Sequence, residues 1–120
     1  MPNLTPMVDP NYLTNGLVEQ AMELVDQYIN KLQIKGLSRT IIKNQKGVPL
    51  VCYVVEATGG SKKNMMMYGH LDKQPYGPGW DEDKQPTVPV IINNRMYGRG
   101  GADDGYSAFS CMLALKGCQE

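Results

Sequence analysis

The chain has a single histidine, and the residues around it limit what can be built there. His70 stands in Tyr68-Gly69-His70-Leu71-Asp72, directly after Met65, Met66 and Met67. An apolar run without polar alternation reads as a short strand over residues 65–68, buried on both faces. On an extended backbone, side chains two apart point the same way. His70 and Asp72 then face out together while Leu71 points into the core. An imidazole beside a carboxylate suits metal chemistry: one ring nitrogen binds the ion, and the acid fixes the tautomer and raises the basicity of the ring. Taken alone, the same pattern also describes a hydrogen-bonded structural histidine.

A second stretch, Gly98-Arg99-Gly100-Gly101-Ala102-Asp103-Asp104-Gly105, shifts the balance. Its glycines allow positive φ and close approach of backbone to a ligand. Asp103 and Asp104 fall where the last helix begins. An aspartate N-cap accounts for Asp104. It does not account for two adjacent aspartates behind three glycines. A dinucleotide fingerprint fails here, because the third spaced glycine is missing and the acids would repel a pyrophosphate.

The rest of the chain supplies a frame for these loops. Residues 1–14, rich in Pro, Asn and Thr, read as a loose lead-in. Asn15 is the expected N-cap of a helix. Leu17, Val18, Ala21, Leu24, Val25 and Ile29 recur at helical spacing on one wide face, and Gly36 is the expected stop. Residues 40–43 and 48–55 read as a hairpin around Asn44-Gln45-Lys46-Gly47. Residues 73–89, with Pro75, Gly77, Pro78, Gly79, Pro86 and Pro89, form a long irregular loop of the kind that is functional or mobile. Within it, Asp81-Glu82-Asp83 reads as a solvated tip, since nothing fixes three adjacent carboxylates on one centre. Val90–Ile92 and Arg95–Tyr97 form a second hairpin around Asn93-Asn94. The final segment, 106–120, is apolar almost all round and reads as a buried helix. The preceding elements offer that helix little cover, and it ends without a capping signal. Both features lead us to expect an N-terminal fragment.

Bulk properties narrow the partners. Twelve basic and twelve acidic residues cancel, which gives no electrostatic reason to expect nucleic acid or an anionic membrane. No apolar run nears the ~20 residues of a membrane helix, and the first ten residues lack the order of a signal peptide. Cys52, Cys111 and Cys118 are too scattered for a disulfide framework or a zinc knuckle and read as buried free thiols, with the cytoplasm as the expected compartment.

Gly69-His70-Leu71-Asp72-Lys73-Gln74-Pro75, then Gly79-Trp80, then Tyr97-Gly98-Arg99-Gly100-Gly101-Ala102-Asp103-Asp104-Gly105 resembles the zinc exopeptidases. That family includes carnosinase-type dipeptidases, acetylornithine deacetylase and succinyl-diaminopimelate desuccinylase. The resemblance is nearest to the dipeptidase branch and is specific over residues 69–113. It implies an α/β fold: an incomplete zinc-exopeptidase catalytic domain over residues 15–120, without the lid domain that dimerises. It implies His70 as ligand of one zinc, Asp103 as the carboxylate bridging two, and Asp72 as the catalytic acid that orients the histidine. Asp104, Gly100 and Gly101 would support the metal loop, with a cis peptide between Asp103 and Asp104. Where many members carry Lys-Gly after the second acid, this chain has Gly105-Tyr106, a variant familiar among the dipeptidase-like members. The implied activity is hydrolysis of dipeptides or N-acyl amino acids by a dinuclear zinc centre in a longer, homodimeric protein. Cobalt or manganese would also suit these ligand types. The paired glutamates and remaining ligands of the family have no counterpart in these residues. The alternatives are an inactive fragment or pseudoenzyme that pairs with an intact homologue, and, more remotely, a nucleotide-binding module.

Overall fold

The computed structural model describes residues 1–120. It is a small mixed α/β structure of two helices and two separate two-stranded sheets. Helix α1 is Leu17–Leu32; strands β1 (Leu37–Lys43) and β2 (Pro49–Val55) follow; β3 (Val90–Ile92) and β4 (Arg95–Tyr97) come after the long loop; helix α2 is Ser107–Gly117.

The apolar face of α1 organises the core. Val18, Ala21, Met22, Val25 and Ile29 are its buried residues, at spacings that fall on one side of a helix. The start lies one residue later than expected. Gly16 takes the N-cap position with φ 74°, and Asn15 still serves the helix, its Oδ1 accepting from Leu17 N–H at 2.9 Å. The helix stops at Gln33, φ 50°, before Gly36. Ile34 then turns back beneath it to complete a cluster with Val25 and Ile29. The first hairpin covers one side of this cluster through Leu37, Tyr53 and Val55. On another side α2 supplies Phe109, Met112 and Leu115, with Phe109 edge-on to Tyr28 at 5.1 Å between ring centres.

Both hairpins form at the expected turns. β1 pairs antiparallel with β2 from Leu37 opposite Val55 to Lys43 opposite Pro49. The Asn44 side chain closes the turn by accepting from Lys46 and Val48 N–H, both at 2.9 Å. β3 and β4 pair around Asn93 and Asn94, whose φ values of 49° and 61° suit asparagine in a two-residue turn.

Three expectations are corrected. Residues 65–68 do not form a buried strand: they have no strand assignment, none of the loop hydrogen bonds uses their backbone, and Met66 is 93% exposed. A strand buried on both faces needs neighbours at its edges and cover above and below. Here each sheet is closed within its own hairpin. Helix α2 is likewise not enclosed. None of its residues is fully buried, because α1 is its one helical neighbour and the far side, with Leu113, faces solvent. The three cysteines are free thiols, but Cys52 and Cys111 are only half-buried and Cys118 is exposed. The common cause is a small core. Eight of 120 residues are buried, and the radius of gyration is 16.5 Å, against roughly 14 Å for a compact chain of this length. Residues 1–14, read as loose, are anchored at one place, where Asn3 and Thr5 are buried and Leu4 forms a parallel bridge with Lys73.

A polar clamp holds the hairpin to α1. Asp26 accepts from Arg39 Nε at 2.7 Å and pairs with its Nη2, and it also accepts from the Tyr53 hydroxyl. Burial first, then the bond to Asp26, push the Tyr53 hydroxyl from 10.0 up to about 12, against the opposing pull of Arg39. The folded state therefore favours the protonated phenol. That contribution is fully present below pH 10 and is lost as pH rises through about 12. Urea midpoints measured across this range should fall for the parent chain and stay flatter for Tyr53→Phe; parallel curves would show that the hydroxyl carries no such linkage.

Candidate metal centre

The two acidic loops lie against each other. The segment carrying His70 is held from behind by the N-terminus: Lys73 N–H donates to Asn3 O and Thr5 N–H to Lys73 O, both at 2.9 Å, and Asn3 Nδ2 donates to Leu71 O at 2.8 Å. From the front, His70 N–H donates to Asp104 Oδ2 at 3.3 Å. Gly69 lies against the start of α2, where a Cβ would stand 3.0 Å from Ser107 Cβ and closer still to its hydroxyl. Only glycine lets the backbone come this near.

The His70 ring lies between two carboxylates. Nδ1 is 3.1 Å from the Asp72 carbonyl oxygen and 3.2 Å from Asp72 Oδ1, while Nε2 is 3.4 Å from Asp103 Oδ1. Nδ1 has two acceptors at 3.1 and 3.2 Å against one at 3.4 Å for Nε2, which favours the neutral ring with its proton on Nδ1. Nε2 then presents a lone pair to a second carboxylate. Two acceptors facing each other need a positive centre, supplied either by a second ring proton or by a cation. Asp103 is open to solvent, with 68% of its side chain exposed, whereas Asp72 is half-buried against the ring.

Asp104 is occupied with structure. Its carboxylate accepts from Gly105 N–H at 2.6 Å, from the Ser107 hydroxyl at 2.9 Å and from Ser107 N–H, the first amide of α2, at 3.4 Å. Tyr106 takes the N-cap position itself. Burial pushes the Asp104 carboxyl up, but these bonds and that from His70 outweigh it and hold the group below the usual carboxylate range. Gly100 has φ 89° and Gly101 turns back on Gly98, its N–H 3.3 Å from the Gly98 oxygen. The peptide bond between Asp103 and Asp104 is trans, like every other in the chain, where the resemblance implied a cis bond. A non-proline cis bond costs about 3 kcal/mol, and the trans form is the ordinary ground state.

Other residues shape the site that composition alone did not single out. The Lys73 side chain folds back so that its amine donates to Leu71 O. Burial pulls that amine below its usual value, with Asp104 and Asp72 pulling the other way. Arg99 ties the long loop to the glycine loop: its Nη2 donates to Tyr76 O at 2.9 Å, its N–H to Pro86 O at 2.9 Å, and its guanidinium lies 6.0 Å from the Trp80 ring centre. Asp81 and Asp83 sit apart and pair with Lys84 at 2.6 and 3.4 Å. A cavity of about 240 Å³ also lies elsewhere, between α1 and β1, and none of its lining residues belongs to the acidic loops.

The donor types at His70 and Asp103 fit a divalent metal, an imidazole nitrogen opposite a carboxylate with an orienting acid behind the ring. The number of donors falls short. No three His, Cys, Asp or Glu side chains converge on one point, while zinc ordinarily takes four ligands.

No family model matches the chain. It is similar to a succinyl-diaminopimelate desuccinylase of Helicobacter hepaticus, 32% identical over 76% of this chain and 24% of that protein. A Cys-Gly metallodipeptidase of Schizosaccharomyces pombe is 30% identical over 96% of this chain and 25% of its own length. A Beta-Ala-Xaa dipeptidase of Lactobacillus delbrueckii subsp. lactis is 38% identical over 48% of this chain and 13% of its own length. The chain thus spans about a quarter of the length of the first two of these relatives. No helix is long and apolar enough to cross a membrane.

The contact between Gly69 and α2 is directly testable. Gly69→Ala should destabilise the chain by about 1–3 kcal/mol through overpacking, read as a lower urea midpoint, and Ser107→Gly in the same chain should restore part of the loss. Unchanged stability in Gly69→Ala would show that the two loops are not in close contact.

Proposed function

The chain belongs to the metallopeptidase family of succinyl-diaminopimelate desuccinylases and Cys-Gly and Beta-Ala-Xaa dipeptidases, and on that premise we propose that it carries part of a metal centre for amide hydrolysis. In this reading residues 15–120 are the N-terminal part of a catalytic domain. The observation that carries it is the His70 ring between two carboxylates, its Nε2 facing Asp103 at 3.4 Å and its Nδ1 against Asp72. Asp72 holds the proton on Nδ1 and so aims Nε2 outward as a donor. Asp103 stands open on the other side and has free carboxylate lone pairs to share, as a bridging ligand must. Gly100 and Gly101 keep the loop under Asp103 close, and Asp104 fastens it to α2.

What a metal supplies when bound in such a centre is Lewis acidity toward the scissile carbonyl and toward water. The family resemblance favours zinc, two ions in the complete site, and the ligand types also admit cobalt or manganese. His70 and Asp103 provide two donors. Further ligands and a general base must come from outside these 120 residues, together with a lid domain through which the full protein would form a homodimer. Substrates would be dipeptides or N-acyl amino acids, the chemistry common to the relatives' names.

The count of donors favours inactivity for the 120 residues on their own. Titration calorimetry should find weak zinc uptake and no dipeptide hydrolysis. His70→Ala should abolish that uptake, and Asp72→Ala should weaken it by about ten- to hundredfold. In the longer protein, Asp103→Asn should cripple both metal positions. Tight binding of two zinc ions per 120-residue chain, or full zinc content in either ligand variant, contradicts the assignment.

A further inference from the structure

We propose that Lys73 is a positioning residue of the His70–Asp103 site, its side chain lodged as a spacer between the two acidic loops so that the imidazole stays opposite the carboxylate. The inference rests on the metal-centre reading for its functional meaning, but its geometry stands apart from it. The backbone of Lys73 is fixed on both sides, by Asn3 O and Thr5 N–H at 2.9 Å each. Its side chain does not run out to solvent, as lysine usually does. It turns back, and the amine donates to Leu71 O, the carbonyl between His70 and Asp72, which also accepts from Asn3 Nδ2 at 2.8 Å.

The glycine loop wraps the lysine stem. A Cβ at Gly100 would stand 2.6 Å from Lys73 Cδ and closer to Cε, and one at Gly105 would stand 2.8 Å from Nζ. Neither position has room for a side chain while Lys73 is in place. Asp103 lies within the stretch bounded by these two glycines, so the lysine meets the loop that carries it at both ends. No carboxylate lies within ion-pair distance of the amine; its hydrogen bond goes to a backbone carbonyl. Half-burying an ammonium for one carbonyl is costly as surface decoration. It is intelligible as a prop that fixes the turn holding the imidazole and the loop holding the acid. The amine makes no bond to the imidazole or to Asp103, so it acts through the backbone of both loops.

The sole histidine makes the test clean. Long-range proton–nitrogen spectra of the metal-free 120-residue chain, at one fixed pH alkaline enough for the ring to be neutral, report which ring nitrogen bears the proton. The parent chain should show two well-separated nitrogen shifts, with the proton on Nδ1. In Lys73→Ala the two shifts should converge toward those of a tautomer-averaging imidazole, and zinc affinity should fall about tenfold, the scale of losing an orienting contact. Should Lys73→Ala unfold, Lys73→Met keeps the stem, removes only the ammonium, and is judged by the ring shifts. Unchanged ring shifts overturn the proposal. Zinc uptake that survives His70→Ala overturns the metal reading instead, and the ring shifts still decide the role of Lys73.

Discussion

The site depends on one imidazole held between two carboxylates. Because Asp72 offers two acceptors to Nδ1 at 3.1 and 3.2 Å, against one at 3.4 Å for Nε2, a neutral ring favours its proton on that side. Everything chemical about the site follows from what remains. Nε2 is left as a donor atom aimed at Asp103, across a 3.4 Å gap that suits a cation better than it suits two facing lone pairs. The same ring with its proton on Nε2 would close the gap with an ordinary hydrogen bond and would be a structural histidine.

Holding that arrangement requires two loops, about thirty residues apart in sequence, to meet without a sheet between them. Small residues and backbone bonds achieve it. Gly69 admits the start of α2, Asp104 gathers the amides of His70, Gly105 and Ser107, and Lys73 fills the hollow left by Gly100 and Gly105. The core formed by α1, the first hairpin and α2 stands behind this, with Leu71 from the first loop and Ala108 from the start of α2 packed against it. The link from core to site is therefore short: half-buried Leu71 packs against the cluster while its two neighbours, His70 and Asp72, face the acid loop.

Elements specified by local chemistry were legible in the sequence. The α1 face follows from its periodicity, and both hairpins follow from Asn44 and Asn93-Asn94, residues whose side chains or αL tolerance make the turns. Features that depend on neighbours were not. The methionines of residues 65–67 carry the composition of a buried strand but have nothing to pair with. The all-round apolar α2 finds one packing partner where its composition asks for several. At the site, residue type pointed to His70, Asp72, Asp103 and Asp104, and the fold brings each of the three acids within bonding reach of His70. Lys73 and Ser107 carried no such signal. A lysine that folds back on its own chain, and a serine that needs a glycine opposite it, are visible only once the two loops are seen together.

The central claim is that His70 and Asp103 share one cation-binding position, and manganese is the most direct probe of it. In a substoichiometric titration of the 120-residue chain with Mn²⁺, followed by amide line broadening, the account predicts that residues 70–72 and 101–104 broaden together and before any others. Broadening confined to one of these loops, or centred on Asp81, Glu82 and Asp83, would contradict it.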